Sequence, residues 1–142
     1  MAEISLRRAR TMIRKALEHA RGAEFKPMAV AVLDSGGNLI AFEREDGASP
    51  GRYEIARGKA YGAVMLGMPG SAQMARAEAQ AYFVACANGA LAGGMIPVPG
   101  GVLVKDSKGR TMGAVGVSGD ASENDAAAAK AGIEAAGLSA ED

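Results

Sequence analysis

Three charged residues close together in the sequence, Arg44, Asp46 and Lys59, are suited to holding a small ligand. An arginine binds a carboxylate through two parallel hydrogen bonds, and a lysine supplies a compact positive charge. Arg44 and Lys59 could therefore hold an anionic group. Such charges also form ion-pair networks with a purely structural role, and the residues alone leave both interpretations open.

A glycine-rich bend, PVPGG, is formed by residues 97–101. Because Gly100 and Gly101 carry no side chain, a flat ligand could approach the backbone there. Binding residues are common on loops that a rigid scaffold supports. We expect the bend and the two cations to line one shared cavity, with Asp125 ordering the loop after Ser118.

Several common catalytic and metal-binding arrangements are excluded by the residues available. His19 is the single histidine, so the chain has neither a pair of histidine metal ligands nor a Ser-His-Asp triad. Gly113, Gly116 and Gly119 have the spacing of neither a P-loop nor a dinucleotide-binding fingerprint. We therefore predict no metal ligands and assign no catalytic residue. Cys86 is the single cysteine, which excludes an intrachain disulfide and favours the reducing cytoplasm.

The length and composition predict one folded domain, residues 1–142. Sixteen basic and sixteen acidic side chains give a formal net charge of zero, which argues against a nucleic-acid-binding protein. The N-terminal residues have no apolar segment of the kind found in secretory signals. The longest apolar stretch, residues 89–104, is interrupted by glycines and prolines and cannot form a membrane-spanning helix. We expect no membrane partner.

Charge is distributed unevenly along the chain. Residues 1–26 carry seven basic and three acidic side chains, whereas residues 120–142 carry one basic and six acidic side chains. Both segments could be solvated helix faces. Alternatively, the two ends could attract one another, within one subunit or between subunits.

Hydrophobic periodicity predicts the order αββααββα, and a further short strand is considered near residues 95–98. The turns DSGG at 34–37 and DSKG at 106–109 each close a hairpin. A sheet built from hairpins is antiparallel, so the predicted fold class is α/β of the α+β type, with helices flanking the sheet. Helices are predicted over 4–21, 50–66, 71–87 and 122–136, and strands over 28–34, 38–43, 102–105 and 110–117.

Local signals support the ends of these elements. Ser49 is a candidate N-cap with Pro50 as the first helical residue, and Ser122 with a carboxylate three residues later resembles a capping box. Gly58 and Gly62 lie on one face of the second helix, where glycine is unfavourable. We expect a neighbouring backbone or a ligand to approach that face closely.

Motifs along residues 4–136 resemble those of the GlcG/HbpS-like family. They are Asp46-Gly47-Ala48-x-Pro50, Tyr53-Glu54-x-Ala56 with Lys59-Ala60, Ile96-Pro97-Val98-x-Gly100-Gly101-Val102, Gly113-Ala114-Val115-Gly116-Val117-Ser118-Gly119, Asn124-Asp125, and Ala129-x-Ala131-Gly132. The resemblance implies a profilin-like fold and homo-oligomers, often octamers. Family members include haem-binding sensor partners, the C-terminal domain of PduO-type proteins, and proteins encoded with glycolate or glycerol catabolism.

One family feature is altered in this chain. The resemblance implies an iron-associated Glu-x-x-Glu on the second helix, but the matching stretch runs from Glu54 to Arg57. Because a guanidinium repels a metal cation, we expect no iron at this place. Haem ligation would then need His19, a methionine, a tyrosine, Cys86 or a vacant coordination position.

Three hypotheses follow. The first is a cytoplasmic small-ligand-binding protein that holds a flat or anionic molecule, with haem as the ligand implied by the resemblance. The second is a small catabolic isomerase, hydrolase or lyase that acts on a carboxylate metabolite with an aspartate or glutamate as base. The third is that these surfaces are subunit interfaces. The predicted ligand-binding residues are Arg44, Asp46, Lys59, Gly100, Gly101 and Asp125.

Overall fold

The computed structural model describes residues 3–92 and 94–142, so residues 1, 2 and 93 of the predicted domain lie outside the described part. The described residues form five helices and five strands, in the order αββαααββαβ. The helices are α1 (Leu6–Gly22), α2 (Arg52–Leu66), α3 (Gly70–Ala79), α4 (Ala81–Ala90) and α5 (Ser122–Ala135), and the strands are β1 (Ala29–Asp34), β2 (Leu39–Arg44), β3 (Gly101–Lys105), β4 (Thr111–Ser118) and β5 (Ser139–Glu141).

The strands form one antiparallel sheet in the order β2-β1-β4-β3-β5. The two predicted hairpins are β1–β2 and β3–β4. They join because β1 pairs with β4, from Ala29 opposite Ser118 to Asp34 opposite Gly113. The prediction of an α+β fold with a central antiparallel sheet flanked by helices is confirmed.

Helices cover both faces of the sheet. Helices α1 and α5 pack on one face, where Val30, Val32 and Val115 form the main core with Met12 and Ile133. Helix α2 covers the other face, where most of the contacting side chains are small. Strand β1 is apolar on both sides because it is buried on both sides.

Helix α2 lies very close to the sheet because glycines replace larger residues in the strands. A β-carbon on Gly116 would overlap the carbonyl group of Ala56, and one on Gly101 would overlap the carbonyl group of Lys59. The expected close approach at Gly58 is also present, since a β-carbon there would lie 3.0 Å from the Gly94 carbonyl oxygen.

The helix predicted over 71–87 is divided in two. Gln80, with φ −142° and ψ 67°, is not helical and separates α3 from α4. Its side-chain oxygen accepts a hydrogen bond from Arg76 Nε at 2.6 Å. The sequence contains neither glycine nor proline at this position, and so it gave no local signal for the break.

Two predicted caps are wrong. Helix α2 begins at Arg52 after Gly51, and the Ser49 hydroxyl accepts a hydrogen bond from Arg52 Nε at 3.0 Å instead of capping the helix. Helix α5 has Ala121 at its N-cap, so Ser122 lies inside the helix.

Strand predictions also needed correction at two places. Residues 95–98 form no strand, because the Ile96 N–H donates to the Gly58 carbonyl on α2 rather than to a neighbouring strand. The C-terminal strand β5 was not predicted, and it pairs with β3 from Lys105 opposite Ser139 to Leu103 opposite Glu141. Within the described residues, no helix combines the length and apolarity needed to cross a bilayer.

Candidate functional site

Lys59 and Asp125 form a buried ion pair at one end of the sheet. Lys59 lies on α2 and Asp125 on the first turn of α5, so the pair joins helices from opposite faces. Lys59 Nζ is 2.9 Å from Asp125 Oδ2, and the two side chains are 3% and 1% exposed. Neither charge is accessible to a ligand in solution in this conformation.

The glycine bend packs directly against Lys59 and leaves no open space there. A β-carbon on Gly100 would lie 2.8 Å from Lys59 Nζ, and Gly100 has a φ of +119° that favours glycine. Both Gly100 and Gly101 are buried. The lysine side chain fills the volume that bare backbone would have offered a flat ligand, so the predicted pocket at this bend is wrong.

Asp125 also holds the turn that follows Ser118. Its Oδ1 accepts a hydrogen bond from the Asp120 N–H at 2.9 Å. Burial raises the pKa of the Asp125 carboxyl, although the ammonium group of Lys59 opposes this effect. The geometry gives both carboxylate oxygens a structural partner.

Asp120 extends this polar network to the surface. It accepts hydrogen bonds from the backbone N–H of Lys26 at 2.7 Å and from that of Ala121, and from the side chain of Asn124. These bonds, above all that from the Lys26 N–H, lower the pKa of Asp120 from 3.8 to about 2.

A contact that the sequence analysis missed lies beside this network. The buried hydroxyl of Ser118 accepts a hydrogen bond from Arg52 Nη1 at 2.8 Å. The two residues are 66 positions apart, so no sequence spacing could have indicated the contact.

Arg44 and Asp46 lie at a different place, beside α1. They line a surface cavity of about 430 Å³ between α1 and the end of β2. Arg44 Nη1 donates to the Ala48 carbonyl at 3.0 Å. Lys59 does not line this cavity, so the prediction of one shared cavity for the two cations is wrong. The lining residues are Leu17, Arg21, Pro27, Glu43, Arg44, Glu45 and Asp46.

The same depression continues along α1. A second cavity of about 550 Å³ shares Leu17, Arg21 and Glu43 with the first and adds Arg10, Arg14 and Glu18. We call the two cavities together the α1–β2 groove. These arginines belong to the basic N-terminal segment, for which a solvated helix face and attraction to the acidic end were both predicted. Their spacing along α1 places them on one side of the helix.

The charges in the groove are arranged unevenly. Arg21 Nε is 3.1 Å from Glu45 Oε2, and Glu45 Oε1 accepts the Met28 N–H. Glu18 pairs with Lys15 at 3.0 Å. The acidic side chains are thus partly neutralised.

The positive charge in and beside the groove is concentrated on the N-terminal half of α1. A neighbouring cavity of about 390 Å³ is lined by Arg7, Arg10 and Arg14 with Leu6 and Thr11.

Metal ligands are not gathered anywhere in residues 3–92 and 94–142, which contain no group of three histidine, cysteine, aspartate or glutamate side chains placed to hold an ion. His19 lies on the exposed side of α1 against the Phe25 ring, with centroids 5.9 Å apart. Cys86 is exposed on α4. Neither residue lines the groove.

A family model described as haem degrading protein, HbpS-like, matches residues 4–134. The chain belongs to the HbpS-like family. A crystal structure of HbpS is 30% identical, with a TM-score of 0.80 and coverage of 94% of this chain and 90% of HbpS. A variant of HbpS from Streptomyces reticuli, in which two glutamates are replaced by aspartates, is 32% identical, with the same TM-score and coverage of 94% and 87%.

The HbpS-like fold is shared by PduOC, which was crystallised as a complex with haem. PduOC is 23% identical to this chain, with a TM-score of 0.86 and coverage of 99% of both chains. At this identity, the likeness shows the fold alone. No curated protein sequence matches this HbpS-like chain significantly.

Proposed function

We propose that this HbpS-like protein binds a flat, anionic small molecule in the α1–β2 groove, with haem as the first candidate. The observation that carries the proposal is the placement of Arg10, Arg14 and Arg44 around an apolar side chain, Leu17, in cavities of about 430 and 550 Å³. These volumes fall in the range of small-molecule sites, roughly 300–1,000 Å³. The haem complex of PduOC and the description of the family support the choice of ligand.

The arginines of α1 have charge to offer a ligand. Among the described residues, Arg10 and Arg14 have no ion-pair partner, whereas Arg21 is occupied by Glu45. Arginine binds carboxylates through two parallel hydrogen bonds. Carboxylates at the edge of a flat ligand would therefore bind near Arg10 and Arg14, with the ring lying along Leu17.

Haem fits this groove at its carboxylates but not at its iron. Proteins hold haem iron with histidine, cysteine, methionine or tyrosine. The residues that line the groove include none of these four types. Among the carboxylates that line the groove, those of Glu43 and Asp46 form no ion pair with a described residue. The proposal therefore concerns binding through the anionic groups and derives no chemistry from the iron.

The alternative of a catabolic enzyme needs an aspartate or glutamate that can act as base, and Asp125 does not fit that role. Asp125 is 1% exposed and is already bonded to Lys59 and to the Asp120 N–H. A general base must come within hydrogen-bonding reach of the substrate.

A porphyrin titration tests the proposal. Haem should give a saturable change in its visible absorption on binding, and protoporphyrin IX, which has no iron, should bind equally well. Arg10→Gln and Arg14→Gln should each weaken binding about tenfold by removing a charge-assisted contact. Arg8→Gln is the matched control, because Arg8 lies on the same helix and lines none of the three cavities along α1.

Two results would contradict the proposal. One is the absence of saturable binding by either porphyrin. The other is equal weakening by Arg8→Gln, which would indicate a general effect of charge. A neutral porphyrin diester should bind more weakly than the free acid.

We further propose that the protein works in the cytoplasm as a homo-oligomer, with octamers as the state that the family resemblance implies. The single cysteine supports a reducing compartment. The exposed face of α3 and α4 carries a single charged residue, Glu78, and this supports self-association.

A further inference from the structure

A smaller cavity of about 280 Å³ lies on the other side of the sheet, between α2 and residues 94–96. It shares no residue with the α1–β2 groove. Two walls are apolar, Ile55 and Ile96, and one is the bare backbone of Gly94. The two remaining lining residues carry opposite charges, Glu54 and Arg57.

Arg57 is held away from Glu54 by an aromatic ring. Its guanidinium lies over the ring of Tyr61, 4.7 Å from the centroid, one turn further along α2. Glu54 lies almost one turn before Arg57 on the same helix. The two charges form no ion pair within 4.0 Å, although residues three apart on a helix are neighbours.

Residues 94–96 cross the stacked side chains of Arg57 and Tyr61 and hold them in place. A β-carbon on Gly94 would lie 3.0 Å from the Tyr61 ring and 3.6 Å from Arg57 Nη1, so glycine is needed for the backbone to cross the stacked pair. The Ile96 N–H donates to the Gly58 carbonyl at 3.1 Å. The wall opposite α2 is therefore held in place before any ligand arrives, which reduces the entropy lost on binding.

We propose that this cavity binds a small zwitterion with an apolar side chain, such as an aliphatic amino acid. The ligand's carboxylate would pair with Arg57, its ammonium group with Glu54, and its side chain would contact Ile55 and Ile96. A guanidinium can bind a carboxylate through two hydrogen bonds while its face stays on an aromatic ring. The volume, just below the usual range for drug-sized ligands, suits a molecule of this size.

The test is a titration of the full chain with three related molecules, in which binding is monitored by the NMR signals of the isoleucine methyl groups. L-Leucine carries both charges, 4-methylpentanoate lacks the ammonium group, and 3-methylbutylamine lacks the carboxylate. Leucine should shift the Ile55 and Ile96 signals saturably at about millimolar concentration, and the other two should bind about tenfold more weakly.

Variants connect the binding to the two charges. Arg57→Gln and Glu54→Gln should each weaken leucine binding about tenfold. Arg76→Gln is the matched control, because Arg76 also stacks on an aromatic ring, Phe83, at 3.9 Å but lies outside this cavity. Arg57→Lys keeps the charge and should retain part of the affinity, and this separates loss of binding from loss of the fold.

Three outcomes would overturn the inference. They are the absence of saturable shifts with leucine, unchanged affinity in Arg57→Gln, and binding of 4-methylpentanoate as tight as that of leucine. Porphyrin binding is measured separately and at different residues. A lack of leucine binding would therefore not contradict porphyrin binding in the α1–β2 groove, and a lack of porphyrin binding would not contradict leucine binding in this cavity.

Discussion

At the scale of single residues, substitution of Lys59 or Asp125 should have a large effect on stability. Breaking a buried pair leaves one charge without a partner in a nonpolar environment, at a cost of about 3–5 kcal/mol. We therefore expect Lys59→Ala and Asp125→Ala each to lower the free energy of unfolding by about that amount. Urea unfolding curves measure the change.

Two comparisons make this prediction specific. The double variant Lys59→Met with Asp125→Leu should be more stable than either single variant, because it removes both charges together. Lys105→Ala breaks the partly exposed pair with Glu141, where the Lys105 Nζ–Oε1 distance is 3.2 Å, and should cost less than about 1 kcal/mol. Equal losses at Lys59 and Lys105 would contradict the special role of burial.

Asp120 should make stability depend on pH in acid solution. Its pKa in the folded protein is about 2, below the ordinary value of 3.8. A lowered pKa means that the unfolded chain takes up the proton more readily, so this stability is present above pH 3.8 and is lost as the pH falls towards 2. Asp120→Asn should flatten the dependence of unfolding free energy on pH in that window.

The matched control is Glu123→Gln, in the same segment. Glu123 is exposed and forms no hydrogen bond with any described residue through its side chain. A slope between pH 2 and 3.8 that is unchanged in Asp120→Asn, or flattened equally in Glu123→Gln, would contradict the prediction.

The sequence predicted one pocket for all six site residues, but only four of them lie together, and those four form no open pocket. Lys59, Gly100, Gly101 and Asp125 do meet. Glycine and charge next to each other are compatible with an open pocket and with a closed ion pair. Only the packing of α2 against the sheet distinguishes an open pocket from a closed ion pair. The distance between α2 and the sheet depends on contacts between residues that are far apart in the sequence.

At the scale of elements, the approach of α2 to the sheet depends on glycines in the strands. Gly101→Ala and Gly116→Ala should each destabilise the protein by about 1–3 kcal/mol or more, because the new methyl group would collide with the α2 backbone. Thermal unfolding followed by circular dichroism measures the loss.

Gly89→Ala provides the matched control. Gly89 lies on the exposed side of α4, with no neighbouring atom within 4 Å of an added β-carbon. In a helix, alanine is favoured over glycine by about 0.5–1 kcal/mol, so this variant should be slightly stabilised. Destabilisation of all three variants by the same amount would show that contact with α2 is not the cause.

Elements with strong periodicity were predictable, and those set by tertiary contacts were not. The pattern of α1 placed it over 4–21, close to the observed Leu6–Gly22. The break at Gln80 depends on a side-chain contact, and β5 is a three-residue strand without an apolar pattern that exists because the edge of β3 is open to it.

At the scale of the whole molecule, α3 and α4 expose a surface that differs from the usual outer face of a helix. Solvent-facing positions normally carry charged or polar side chains. Here they carry one charge, and Tyr82 is 69% exposed. The exposed residues are Ala72, Ala75, Glu78 and Ala79 on α3, and Ala81, Tyr82, Ala85, Cys86, Gly89 and Ala90 on α4.

This face supports the proposed self-association, because a nearly uncharged surface does not repel its own copy across a two-fold axis. Ala85→Glu should reduce the mass measured by light scattering, and Ser107→Glu, which adds the same charge on an exposed turn, should not. The alternative is attraction between the basic and acidic ends of the chain.

Salt separates the two possibilities. An assembly held by the ends should dissociate near 1 M salt, where charges are screened beyond about 3 Å, whereas one held by the α3–α4 face should persist. A monomer at both high and low salt would exclude both. Attraction between the two ends within one chain has little support, because the described ion pairs include none between α1 and α5 or β5.

The glycine-lined contact between α2 and the sheet has a consequence for how recognition can change. Its backbone-to-backbone packing leaves no room for a ligand between α2 and the sheet, and both proposed binding sites lie outside this contact. Substitutions that change which ligand binds would then affect side chains that line these sites and contribute little to the stability of the fold. Ligand preference and thermal robustness could diverge separately as related sequences evolve.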